Sequence, residues 1–461
     1  MTRPKLIAWV AVIQLGHISP HLNGENAHLN IGENMSFVNT NFNAGDTAWI
    51  LVASALVLLM TPGLAFFYGG MVRGKNVLGM LAQNFVTMGV VSVLWITGVF
   101  SLAFVGTGKF IGNLHQFGLN HIWQQPTGFE ALTIPPLVFV AFQLMFAIIT
   151  PALITGGTAD RLKFGAWTLF SAVWLILVYA PVAHWVFSPS GWLFKLGAED
   201  FAGGTVVHAN AGAAALAVIL VIGRRRGWPK ERMRPHNVPF VLLGAGLLWF
   251  GWFGFNAGSA LAANTLSAYA FVNTNTATGA ALLGWILVEK IRDGHPTTLG
   301  AASGAIAGLV AITPACGFVS PMGSILIGFA AGIICALATK LKTIFKFDDA
   351  LDVVGVHLVG GVLGALLIGL LGTHMINGAN GLFYKGGWTL MGHQVIAVAA
   401  VVAYSFVATY IIAQIIDKTI GLRVSDDDEA AGLDLSQHAE TAYETASYGG
   451  GSRVISSSES N

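Results

Sequence analysis

Two carboxylate–imidazole pairs stand at one spacing in this chain. Seven residues, FAGGTVV, separate Asp200 from His208, and seven, ALDVVGV, separate Asp349 from His357. Small and aliphatic residues follow each histidine, ANAGAAAL and LVGGVLGAL, and the second pair lies 149 positions after the first. Ionisable groups inside apolar segments are costly and are usually functional. Imidazole both donates and accepts hydrogen bonds, so two of them suit a small, neutral, hydrogen-bonding solute such as an amine. They suit a bare cation poorly, because carrying an ion into an apolar path costs on the order of tens of kcal/mol in the Born limit. The structural alternative for either histidine is a satisfied interhelical hydrogen bond; the repetition of the spacing favours the functional one.

Aromatic residues supply a second chemistry. WFGWFGFNAGS (249–259) carries Trp249, Trp252, Phe255 and Ser259, and VFVAFQLMFAIIT (138–150) puts Phe142 and Phe146 one helical turn apart. An aromatic face attracts an ammonium-like cation by about 0.5–2 kcal/mol. For any single ring, packing against its neighbours is the plainer explanation.

The elements that position these groups follow from composition. Of 461 residues, 54% are hydrophobic and only 10% charged. Soluble domains are about a quarter charged, so this is an all-α polytopic membrane protein whose apolar surface meets the lipid bilayer. Net charge is +1, which gives no basis for nucleic-acid binding. Cys316 and Cys335 lie in apolar runs without metal-ligand spacing and read as packing thiols. The 57 glycines suit closely approaching membrane helices. No enzyme chemistry, metal site or cofactor site is legible.

Eleven apolar spans are predicted, near 46–71, 78–106, 131–158, 162–187, 200–222, 237–257, 265–288, 298–316, 320–339, 354–373 and 391–416. Alternate loops hold 17 Lys and Arg residues on one side and 3 on the other, with the leader and Arg453 left out. The basic side is cytoplasmic by the positive-inside rule. The N-terminus is therefore outside and the C-terminus cytoplasmic. Residues 1–43 form a leader in which Arg3 and Lys5 precede a short apolar run, as in a signal peptide, although no clean cleavage site follows. Residues 44–418 are the transmembrane domain and 419–461 a cytoplasmic tail, Gly/Ser-rich beyond about 445.

Five spans separate the two Asp–His segments, so the two helices start from opposite faces. An inverted repeat of five plus five helices with an eleventh added accounts for this. Eight residues of helix advance about 12 Å, which brings His208 and His357, approached from opposite sides of a core about 30 Å thick, to the midplane.

On these residues the sequence resembles the Amt/Mep/Rh ammonium transporter family, in its Amt branch. The resemblance covers about residues 44–443 and rests on FFYGGMVRGKN (66–76), ADRLKF (159–164), DFAGGTVVH (200–208), GWFGFNAGSA (251–260), DVVGVHLVGG (352–361) and GLRV…GLDLSQHAETAY (421–443). It implies a homotrimer with one pore per subunit, in a cell membrane, the inner membrane of a bacterium. It implies an outer site that recruits ammonium, with Ser259 as the hydroxyl, Trp252 on the same motif and Asp200 close by. Phe146 and Phe255 would form a gate, Phe142 one turn away, with His208 and His357 lining the pore beneath. Many family members carry a tryptophan after AHWV, where this chain has Phe187; either Phe187 or the nearby Trp192 completes the outer site. Asp200 has a structural role open to it as well, capping the start of its helix. Tails of this kind dock on a neighbouring subunit, and a PII signal-transduction protein closes many family members from the cytoplasm.

The function so implied is ammonium capture outside, deprotonation, and conduction of ammonia past the histidines, with electrogenic transport. The alternatives are a passive ammonia or carbon dioxide channel of the Rh kind and a non-conducting ammonium sensor. Ser259 and the GLRV tail favour the Amt branch, and only about 40 residues follow the last span, which disfavours a signalling domain.

Overall fold

The computed structural model describes residues 42–443, except 124, 127 and 232. The leader up to residue 41, and with it the signal peptide, lies outside the described residues, as does the end of the tail from 444.

A backbone surrounded by lipid must satisfy its own N–H and C=O groups, and helices do so within one segment. The regular secondary structure of the described residues is accordingly helical, apart from one isolated bridge between Leu162 and Arg423. Among the described residues, ten helices are long and apolar enough to cross a membrane: α1 Ala44–Met71, α2 Gly74–Phe104, α3 Pro136–Thr158, α4 Phe164–Leu196, α5 Gly204–Ile222, α6 Val238–Gly258, α7 Thr265–Asp293, α9 Pro321–Ile344, α10 Val354–Leu371 and α11 Thr389–Thr419. Between α7 and α9 lies α8, Thr298–Ile312, which at 15 residues is shorter than the expected eighth span. Its helix rises only about 22 Å. Thr313 keeps helical backbone, and Pro314 after it has no N–H to donate to the Val310 carbonyl, so the helical hydrogen bonds stop there. The turns beyond α8 are buried, and their carbonyls are met from other segments. Asn273 Nδ2 donates to Cys316 O and Val319 O at 2.8 Å each, Phe201 N to Pro314 O at 3.0 Å and Thr373 N to Phe318 O at 2.9 Å. Polar caps start several helices: Asn237 on α6, Asn264 on α7, Thr297 on α8 and Ser320 on α9.

Packing follows the repeat. α1 lies along α6, and the contacts of the first five helices have counterparts among the next five. α1 with α3 corresponds to α6 with α8, α2 with α4 to α7 with α9, and α3 with α5 to α8 with α10. α5 and α10 cross each other, and α11 covers both. The crossing is made by two glycines, each four residues beyond its histidine. A Cβ on Gly212 would lie 2.4 Å from Leu358 N, and one on Gly361 would lie 2.7 Å from Gly204 O. Each helix therefore seats a bare backbone against the start of the other, which brings their first turns together. Those first turns, Gly204–Ala209 and Val354–Leu358, are both π-helical and both contain the histidine.

Candidate conduction pathway

The acids of the two repeated pairs hold the helix starts. Asp200 Oδ1 accepts from Gly203 N (2.8 Å) and Gly204 N (2.7 Å), and Oδ2 from Thr205 N (2.8 Å) and Val206 N (3.2 Å). The free N–H groups at the start of α5 are thus met by one carboxylate. Asp349 does the same for α10, accepting from Val353 N (3.1 Å) and Val354 N (2.7 Å). Burial, and then the neighbouring Asp352, push Asp349 up to about 6.

At the Asp200 end of the bundle, away from the tail, a cavity of about 730 Å³ opens. Phe146, Phe187, Ser259, Asp200, Glu199 and Gln143 are among its lining residues. Phe187 is therefore on the cavity, whereas Trp192 turns away and packs edge-on to Trp185 with ring centroids 5.9 Å apart. Ser259 Oγ donates to Phe255 O at 2.8 Å, which leaves its lone pairs free to accept. Phe146 floors the cavity and stacks on Phe255, centroids 4.1 Å apart and planes at 27°. Both rings are buried, so together they seal the cavity from what lies below. Phe142 stands edge-on to Phe146 at 4.9 Å, buried behind the gate rather than in it.

Beneath Phe255 the imidazole of His208 follows at 6.1 Å, and His357 stacks on His208 at 5.3 Å. Their Nδ1 atoms are 3.3 Å apart. One Nδ1 must carry the proton and the other must accept it, so the neutral pair holds opposite tautomers. Among the described residues, His208 Nε2 has no hydrogen-bond partner. His357 also lines a second cavity, of about 60 Å³, with Tyr68, Ser303 and Asp352 around it. Lys342 Nζ pairs with Asp352 at 2.7 Å there. A continuous series therefore runs from the large cavity through two phenylalanines and two histidines to the small one.

Trp252 departs from the expectation. It does not line the large cavity. It lies below the gate, stacked on His208 at 5.3 Å, and its Nε1 donates to Thr313 Oγ1 at 2.8 Å. Ser259 and Trp252 share a motif, but seven residues of helix separate them by about 10 Å along the axis. Thr313 in turn donates to Leu309 O at 2.7 Å, so Trp252 forms a fixed wall behind the imidazole. Sequence reasoning missed Thr313, Gln143 and Glu199. Only Glu199, beside Asp200, carried a signal that could have been read.

The motifs left over from the pathway meet at the opposite end. Arg225 pairs with Asp348 at 2.8 Å and with Asp160 at 3.3 Å. Burial alone would raise Asp348, but the hydrogen bond from Arg225 and the charge of Arg161 hold it below the usual carboxylate range. The tail is bonded to this platform. Val424 N donates to Arg161 O (3.0 Å), Lys163 N to Leu422 O (2.8 Å) and Gly79 N to Asp434 Oδ1 (2.8 Å), and Arg423 pairs with Glu429 at 2.6 Å. The resemblance places such tails on a neighbouring subunit; in the single chain, the tail is seated on its own α3–α4 loop and on the start of its own α2.

Residues 48–443 match the Ammonium Transporter Family. An ammonium transporter of Mycobacterium tuberculosis (strain H37Rv) is 54% identical over 432 residues, covering 87% of this chain and 91% of that protein. One from Bacillus subtilis (strain 168) is 47% identical over 403 residues, covering 87% and 98%. Among solved structures, Candida albicans Mep2 superposes with a TM-score of 0.80 at 36% identity, covering 85% of this chain and 88% of that one.

Proposed function

The chain belongs to the ammonium transporter family, and we propose that it takes up ammonium in the large cavity, removes a proton from it at the Phe146–Phe255 gate, and passes ammonia along His208 and His357. The observation that carries this reading is the unbroken order of cavity, stacked phenylalanines, paired imidazoles and second cavity.

In the large cavity the faces of Phe146 and Phe187 attract the cation, and the Ser259 oxygen accepts one of its N–H bonds. Phenylalanine is a weaker cation–π partner than tryptophan, so Phe187 makes this a weaker recruiting site than one with tryptophan there. Asp200 acts through the helix it caps, since both its oxygens are engaged by backbone N–H groups. The gate excludes an ion with its water. Ammonia, neutral and small, crosses at far lower cost once the proton has gone. The released proton passes to the imidazole pair, whose opposite tautomers let it be accepted at one nitrogen and released at another. It rejoins ammonia in the second cavity, so one positive charge crosses per ammonium and transport is electrogenic.

The basic loops and the tail lie on the cytoplasmic side, which puts the large cavity outside. Exposed apolar side chains such as Phe85, Val93 and Phe250 face lipid or the neighbouring copies of a homotrimer. The tail-covered cytoplasmic platform is where a PII signal-transduction protein would bind. The test is ammonium-evoked current across a planar membrane holding the purified protein. Current supports this reading. Ammonia flux without current identifies a passive channel, and no flux identifies a sensor.

A further inference from the structure

Two carboxylates line the large cavity, and they are not equivalent. Asp200 gives both oxygens to four backbone N–H groups at the positive end of α5, which offsets its charge. Glu199 gives one oxygen, Oε1, to Ala379 N at 2.6 Å, while Oε2 has no hydrogen-bond partner among the described residues. Its backbone is held from both sides by the Gln394 amide, with Glu199 N to Oε1 at 2.7 Å and Nε2 to Glu199 O at 2.8 Å. The loop between α10 and α11 closes over it; a Cβ on Gly378 would lie 2.3 Å from Glu199 Oε1. No lysine or arginine lines the cavity among the described residues.

We propose that Glu199, rather than Asp200, supplies the negative potential that draws ammonium into the large cavity, and so sets the concentration at which transport half-saturates. The proposal rests on the transport reading above. Oε2 is buried on a residue that lines the cavity, so its charge acts through space on the cavity, where fields are poorly screened. Burial pushes Glu199 up to about 7, opposed by the Ala379 N–H bond. The charge is therefore present above about pH 7 and lost below it. Asp200 on the same turn and His393 on α11 are the other titratable groups lining the cavity.

The test is methylammonium uptake into vesicles carrying the full chain, measured at about pH 8.5 and about pH 5.5, either side of the Glu199 value. Methylammonium stays protonated at both. Glu199→Gln keeps an acceptor for Ala379 N and removes the charge. At the higher pH its KM should rise roughly threefold to tenfold with kcat little changed. At the lower pH the variant and the unsubstituted protein should converge, and any titration of Asp200 or His393 is common to both. Glu199→Asp keeps the charge and shortens the reach to Ala379, and should retain the ordinary KM at the higher pH. An unchanged KM in Glu199→Gln, a rise of equal size at both pH values, or a raised KM in both variants overturns the proposal. The last of these means that the loop tether matters and the charge does not. Absence of uptake by the unsubstituted protein overturns the transport reading itself.

Discussion

His208 Nδ1 and His357 Nδ1 lie 3.3 Å apart although 149 residues separate them in the chain. At that distance the two rings share one proton, and two adjacent imidazolium charges would repel strongly. Replacing both with leucine should lower ammonium-evoked current at least about tenfold, because the imidazole pair is the titratable link between the gate and the second cavity. Some neutral ammonia leak should survive. A single His208→Asp change should admit potassium, since a carboxylate offsets part of an ion's desolvation cost. Currents in ammonium and then in potassium check both. Undiminished ammonium current in the double variant places the proton route elsewhere.

Phe255 is fully buried between Phe146 and His208. Phe255→Ala opens a gap in line with the pathway, so ammonium-over-potassium selectivity should fall about tenfold while the protein still inserts. Truncating a buried phenylalanine costs about 3–5 kcal/mol in soluble proteins, so the currents must be normalised to inserted, folded protein. Selectivity equal to that of the unsubstituted chain makes the ring a packing residue only.

Gly212 faces the Leu358 backbone so closely that Gly212→Ala must push α5 and α10 apart. The change should cost about 1–3 kcal/mol and depress both thermal stability in detergent and transport. Gly392→Ala in α11, where an added Cβ meets nothing within 4 Å, is the control and should leave stability unchanged or slightly raised. Equal melting of the two variants would sink the close-crossing argument.

The tail couples the α3–α4 loop to the start of α2, at the end of the bundle opposite the large cavity, through Val424 to Arg161, Leu422 to Lys163 and Asp434 to Gly79. Truncation after Ile420 should lower transport about fivefold or more per inserted protein, with the membrane helices still formed. Equal transport by the truncated and full chains makes the tail dispensable.

Much of this protein can be derived before any coordinate is seen. Its continuous apolar runs of about 20 residues call for membrane helices, because a helix closes its backbone hydrogen bonds within one such segment. The Asp–His spacing reads as eight residues of helix, but α5 begins only at Gly204 and α10 at Val354; the residues between each acid and its helix are turned back so that the carboxylate meets the helix start. The capping role of Asp200 follows from its place at the start of the fifth span; that Asp349 caps α10 in the same way emerged only from the fold. What the one-dimensional pattern left open was rotation and lateral placement, because both are set by packing between segments far apart in the chain. Trp252 and Ser259 share a motif, yet one backs His208 and the other lines the large cavity. Phe187 reaches that cavity and Trp192 does not, because the chain turns between them and Trp192 packs against Trp185. The eighth span ends early at Ile312, and its continuation is held by Asn273, Phe201 and Thr373 from three other segments. Only the folded bundle decided that Glu199 keeps an unpaired oxygen beside the cavity while Asp200 keeps none, because hydrogen-bond partners are allotted by the packing of neighbours and not by residue type.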